Sequence, residues 1–241
     1  MSIPVDAVPV PPRVQILAGS AALHPVWRNR IGGVTFRTDD GRYIKWGPHD
    51  LESSMTDEAE RMRWAAAWTL VPRVLEAGAD ETHEWLVTVA IPARSAVDPR
   101  WIARPEIAVR AVGSALRELH EALPVADCPW SWDVDHRIAN AARRGIVVPE
   151  RLRVPPPVER LVVCHGDPCV PNTLLDDDGH GVAHVDLAAL GTADRWADIA
   201  VAAMSTEWNY GPGFEDALLE AYGVRPDPER LAFYRDLWNA T

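Results

Sequence analysis

Hydrophobic and polar positions change period several times along the chain. Val34-Thr35-Phe36-Arg37 and Arg42-Tyr43-Ile44-Lys45-Trp46 alternate with a period of two around Thr38-Asp39-Asp40-Gly41. Alternation marks half-buried strands, and Asp-Gly between two such runs marks a hairpin. Strand character runs from about 26 to 47, with a glycine turn at Asn29-Arg30-Ile31-Gly32-Gly33. The proline- and valine-rich stretch 1–13 reads as an extended arm. Over 56–70 the period becomes helical: Met62, Ala65, Ala66 and Leu70 recur, Thr56 stands where a cap would, and Pro72 follows. Trp85 to Ile91 is an apolar strand ended by Pro92.

Beyond that point helices dominate. Residues 105–122 carry Ala108, Val112, Ala115, Leu116 and Leu119 on one stripe, and further helices are expected at 135–144, 194–206, 213–222 and 228–238. Leu161-Val162-Val163-Cys164 and Val182-Ala183-His184-Val185 are short buried strands around a polar loop, reached through the stiff connector Pro155-Pro156-Pro157. Strands with one helix first and helices later predict an α+β chain of two lobes: a small antiparallel-sheet lobe over 1–92 and a mainly helical lobe over 93–241.

Charge narrows the partners. Lys plus Arg is 24 and Asp plus Glu is 35, a net −11. That counts against nucleic acid, whose phosphates need a basic face, and suits a cationic small molecule. No apolar run reaches the roughly 20 residues of a membrane span, and the N-terminus lacks the pattern of a secretory signal. Cys128, Cys164 and Cys169 are an odd number without CxxC spacing, which favours a reduced, cytoplasmic setting.

The chemistry concentrates in 161–200. Asp167 and Asn172 are five residues apart, the spacing at which a kinase-type loop places the Asp that orients and deprotonates an acceptor hydroxyl and the Asn that holds magnesium. Asp186 follows 14 residues later, beyond a turn and a short strand. Magnesium takes hard oxygen ligands and keeps waters and substrate phosphates in its shell, so one carboxylate and one amide oxygen are a suitable protein share. The remaining carboxylate, Asp167, is then free to accept a proton. His165, His180, His184, Asp167 and Asp186 match no standard zinc spacing.

The run His165-Gly166-Asp167-x₄-Asn172, followed by VDLxxLGxADRWADIA, resembles the aminoglycoside O-phosphotransferase family, which has the protein-kinase-like fold. The likeness is greatest to the branch that acts on 3′ and 3″ hydroxyls. The resemblance implies that Asp167 is the catalytic base and that Asn172 and Asp186 bind magnesium. It implies that Lys45 holds the α/β phosphates of ATP or GTP, with Glu58 rather than Glu60 as its helical partner, because Glu58 and Trp64 stand in the family's DEA-x₄-W pattern. Gly32 and Gly33 would cover the phosphates. Backbone from Val87 through Val89 to Ile91 would bind adenine as the hinge, and Asp198 would accept backbone hydrogen bonds from the catalytic loop.

The implied activity is transfer of a γ-phosphoryl group to an aminoglycoside hydroxyl. The alternatives are a kinase for another hydroxylated acceptor, or a nucleotide-binding homologue with impaired catalysis. Two departures from the family pattern bear on this. Ala188-Ala189 stands where the family has Gly-Arg, and the chain ends Trp238-Asn239-Ala240-Thr241 where aminoglycoside-specific members end in acidic residues. Asp133, Asp135 and the Thr241 carboxylate are the residues left to meet acceptor amines.

Overall fold

The computed structural model describes residues 8–29, 31–51 and 54–241. Residues 1–7 of the expected arm and Arg30 of the glycine turn lie outside them. The chain divides into two units. The first runs to Ala67 and takes in Pro72–Ile91; the second comprises Trp68–Val71 and Pro92–Thr241.

The first unit is built on an antiparallel sheet of β1 (Leu23–Arg28), β2 (Val34–Thr38), β3 (Arg42–Pro48), β4 (Val74–Ala79) and β5 (His83–Val89), in the order β1-β2-β3-β5-β4. The Asp-Gly hairpin forms between β2 and β3, with Gly41 at φ 82°, in the left-handed region that favours glycine. Alternation sorts the two faces. Phe36 pairs with Ile44 and Ile44 with Val87, and these join Val34, Val14 and Ala18 in one buried cluster. Val14 and Ala18 belong to α1 (Pro12–Ala18), so the expected extended arm is corrected at its end: Pro12 opens a helix. Proline suits that position because the first helical N–H has no partner to lose. Arg42 holds α1 in place by donating to the carbonyls of Leu17 (2.9 Å) and Ala18 (3.0 Å).

Lys45 falls on the opposite face, paired with Leu86, by the same period of two. Helix α2 (Met55–Ala65) buries Glu58, Ala59, Met62 and Ala65. Its cap is Ser54, not Thr56: the Ser54 hydroxyl accepts from the amides of Thr56 and Asp57 and donates to the buried Glu84 carboxylate at 2.9 Å. The helix stops at Ala65, short of the expected residue 70, and Leu70 is exposed.

In the second unit β6 (Arg94–Ser95) and α3 (Pro99–Ile102) lead into α4 (Pro105–Ala122), whose bounds are those expected and whose whole predicted stripe is buried. Next come α5 (Val134–Arg143), β7 (Leu161–Cys164), β8 (Thr173–Leu175), β9 (Gly181–His184) and β10 (Gly191–Asp194). The strands form two small sheets, β6-β8-β9 and β10-β7. Helices α6 (Trp196–Tyr210), α7 (Glu215–Tyr222) and α8 (Pro228–Ala240) complete the unit. Helix α6 is an alanine-rich core helix: Ala197, Ala200, Ala202 and Ala203 are all buried. Among the described residues no helix is long and apolar enough to cross a membrane.

Candidate active site

The predicted site residues fall in both units, and each group is built within its own unit. In the first, the Lys45 Nζ lies 2.8 and 2.9 Å from the two oxygens of Glu58. Sheet alternation delivers the lysine and the buried face of α2 delivers the glutamate, while Glu60 points to the exposed side of that helix. A charge-assisted pair of this kind, with Glu58 buried, holds an ammonium group at a defined place on a strand. Gly33 donates to the Asn29 side chain at 2.6 Å and Gly32 is exposed at the tip of that turn. Val89 ends β5 and donates to Arg73 O at 2.9 Å, while Ile91 lies beyond the strand, which ends two residues earlier than expected.

In the second unit, the loop between β7 and β8 carries Asp167 and Asn172. Gly166 starts it at φ 87°. A Cβ there would stand 2.3 Å from the Ala189 carbonyl oxygen, so the tight approach of the two segments requires glycine on two counts. Gly166→Ala is expected to displace the loop and lower activity at least tenfold, a cost set by the misplacement of the next residue. Kinetic assay beside a melting curve checks it: a variant with wild-type kcat would show that the loop accommodates the methyl group.

Asp167 N–H donates to His165 Nδ1 at 3.2 Å, and the His165 ring is fully buried beneath the loop. The Asn172 amide nitrogen donates to Asp167 O at 2.9 Å. That commits the NH₂ end of Asn172 and leaves its oxygen for another partner. Val185 N–H donates to Asn172 O at 3.0 Å and Thr173 pairs with His184, so the next residue, Asp186, is brought beside Asn172 by backbone bonds alone. Asp186 has φ 62°, a conformation that Asp tolerates better than most residues. One loop and the strand end bonded to it thus carry Asp167, Asn172 and Asp186.

The charges there are not neutral to one another. Burial pushes the Asp167 carboxyl above its ordinary pKa and the nearby Asp186 adds to that, while the Cys169 thiol and His165 offset part of the rise. Asp167 Oδ1 is enclosed and has no hydrogen-bond partner in the protein. An enclosed, unpartnered carboxylate oxygen is costly unless a ligand's proton meets it.

Beneath the loop lies a buried network that spacing did not reveal in full. Asp198, at the start of α6, accepts from His165 N at 2.5 Å and Gly166 N at 3.0 Å, as expected of it. It also lies 2.9 Å from His120 Nε2, and His120 Nδ1 meets the Tyr222 hydroxyl at 2.7 Å. Burial works against the Asp198 anion, but the His120 ring and the backbone donors outweigh it and hold its pKa below the usual value. His120 had a sequence signal: it is a histidine among buried apolar residues at the end of the α4 stripe.

The three residues proposed to meet acceptor amines are placed differently. Asp133 caps α5 by accepting from His136 N at 2.8 Å, and Asp135 is exposed in the first turn of that helix. The Thr241 hydroxyl accepts from Arg137 at 3.0 Å and donates to Leu237 O, and Thr241 O accepts from Arg144. An amine reaching Thr241 would have to displace an arginine. Trp130 and Trp132 flank a segment that pairs with β10 through Thr192.

A one-carboxylate, one-amide oxygen set beside a separate carboxylate with one unpartnered oxygen is a donor set suited to a hard divalent cation carrying phosphates. Comparison with known proteins places the chain among phosphotransferases. The family model described as the phosphotransferase enzyme family matches residues 33–234. An aminoglycoside 3'-phosphotransferase of Streptomyces fradiae is 40% identical over 225 residues, covering 80% of this chain and 83% of that one. The streptomycin 3''-kinase of Streptomyces griseus is 36% identical over 240 residues, covering 86% and 87%. The solved aminoglycoside phosphotransferase APH(3'')-Id of Streptomyces rimosus, in complex with ADP and streptomycin, superposes with a TM-score of 0.71 at 28% identity, covering 95% of this chain and 96% of that one.

Proposed function

The chain belongs to the phosphotransferase enzyme family, and from that premise we propose that it moves the γ-phosphoryl group of ATP to a hydroxyl of an aminoglycoside. The observation that carries the reading is the enclosed, unpartnered Oδ1 of Asp167 set in one loop with Asn172 and beside Asp186. The acceptor hydroxyl would meet that oxygen. Its proton passes to Asp167 as the new oxygen–phosphorus bond forms, and the bond from the γ-phosphorus to the bridging oxygen breaks to release ADP. The raised pKa of Asp167 suits a group that must take a proton during the step.

Lys45, held by Glu58, supplies a fixed positive charge for the α/β phosphates. Asn172 and Asp186 fit a magnesium ion, which when bound would neutralise part of the triphosphate charge. The relatives named for the 3' and 3'' positions, and the ADP held by the Streptomyces rimosus enzyme, support both halves of the transfer. The net −11 of the chain suits a cationic acceptor.

The reading is tested by incubating the protein with ATP, magnesium and a mixed panel of aminoglycosides, with products read by mass spectrometry. One panel member is expected to gain a phosphate. Phosphorylation of a non-aminoglycoside alcohol alone would move the acceptor to another class. Magnesium-dependent nucleotide binding with no product would favour the non-catalytic alternative, for which Ala188-Ala189 is the motivating feature.

A further inference from the structure

Helix α6 carries two buried hydroxyl residues in succession, Ser205 and Thr206, at 0% and 1% exposure among alanines. A buried hydroxyl costs free energy unless it is hydrogen-bonded, and alanine is the better helix former. Thr206 resolves this within the helix by donating to Ala203 O at 2.7 Å. Ser205 does not: its oxygen accepts from the backbone N–H of Val170, in the loop between Asp167 and Asn172, at 3.0 Å. The Asn209 side chain, one turn further on, donates to Ser205 Oγ at 3.2 Å and to Ser205 O at 2.8 Å, which fixes where the serine oxygen stands.

Ser205 is seven residues from Asp198, close to two turns at 3.6 residues per turn, so both project from the same side of α6. Asp198 takes the N–H groups of residues 165 and 166, before the base, and Ser205 takes that of residue 170, after it. We propose that Ser205 is a positioning residue for phosphoryl transfer: with Asp198 it fixes the catalytic loop to one rigid helix at points on both sides of Asp167. The proposal rests on the phosphotransfer reading above. It assigns Ser205 no contact with substrate. Its effect is on the placement of the Asp167 oxygen, to which transfer rates are steeply sensitive. A third tie, from the Ser95 hydroxyl to Pro171 O at 2.8 Å, holds the same loop from β6 and leaves Ser205 as the α6 contact nearest Asn172.

The test compares Ser205→Ala with Thr206→Ala. Each removes one buried hydroxyl from neighbouring positions of one helix; the Ser205 hydroxyl is hydrogen-bonded to the loop, and the Thr206 hydroxyl donates within the helix. Ser205→Ala is expected to lower kcat roughly tenfold to a hundredfold with both KM values within about twofold, and to speed hydrogen exchange at the Val170 amide. Thr206→Ala is expected to lower Tm comparably and leave kcat and Val170 exchange unchanged. Equal kcat in the two variants, or Val170 protection that survives Ser205→Ala, overturns the proposal. If the wild-type protein phosphorylates nothing in the panel, the transfer reading falls. The loop contact is then judged on Val170 exchange alone, and unaltered protection overturns it.

Discussion

Asp167→Ala is expected to lower the proposed phosphoryl transfer by about 10²- to 10⁴-fold, the usual worth of a positioned general base, while nucleotide binding persists. The two effects separate because the groups that would bind ATP are elsewhere: Lys45 is fixed by Glu58 on its own sheet, and Asn172 is held by the Asp167 backbone carbonyl, which the substitution keeps. Removing the carboxylate removes an enclosed oxygen with no protein partner, and with it the hydrogen bonding from Cys169. The two effects oppose one another, so Tm is expected to change little. Calorimetric titration with ATP and single-turnover kinetics check both halves. Wild-type kcat in Asp167→Ala would remove this residue from the mechanism, and loss of nucleotide affinity equal to the loss of rate would make it a binding residue.

Asp198→Ala acts in the opposite sense, through the fold. At 0% exposure the Asp198 carboxylate receives two backbone amides and the His120 ring. Alanine leaves these three donors buried without an acceptor, at about 1–3 kcal/mol each; removal of one partner from a buried charged pair costs on the order of 3–5 kcal/mol of stability. For a chain of this size that lowers Tm by roughly 10 °C. Activity should fall with it even at temperatures where the variant is folded, because the loop ahead of Asp167 loses its anchor.

The same residue sets an acid limit. Its folded pKa lies below the ordinary value, so the unfolded chain binds a proton at a pH where the folded one does not. The stability Asp198 contributes is complete above the unfolded carboxyl pKa of about 4 and is lost as pH falls below that. Acid unfolding followed by circular dichroism should show a steeper fall below about pH 4 in the wild type than in Asp198→Ala. Parallel curves would mean that Asp198 is not the group responsible.

What the residue pattern disclosed divides by distance along the chain. The α4 stripe was legible because its period repeats within one helix, and its bounds came out as Pro105–Ala122. The Asp-Gly hairpin was legible for the same reason. The loop spacing of Asp167 and Asn172 was legible because the bond joining them, from the Asn172 side-chain amide to Asp167 O, is local. Boundaries with two plausible local solutions were missed. Thr56 and Ser54 are both good caps, and what decides for Ser54 is the Glu84 carboxylate 30 residues away. Prolines at 9, 11 and 12 suggest extension, yet Pro12 sits at a helix start because Val14 and Ala18 find a core under the sheet. The edge strand β4, with Glu76, Ala77 and Gly78, has no alternation to betray it. The tryptophans are mostly half-buried, with Trp85, Trp101 and Trp196 the buried ones among the described residues. The network under the loop joins residues 120, 165, 198 and 222, separations at which no single spacing carries a signal.

The ties on the catalytic loop also order its assembly in time. A chain made from its N-terminus has Asp167, Asn172 and Asp186 well before it has Asp198, Ser205 and Asn209. Until α6 emerges and docks, the amides of 165, 166 and 170 lack the acceptors they have in the folded protein, and the proposed site residues lack these ties. Competence of the nascent protein therefore switches on late, with a helix that contributes no atom to the reaction.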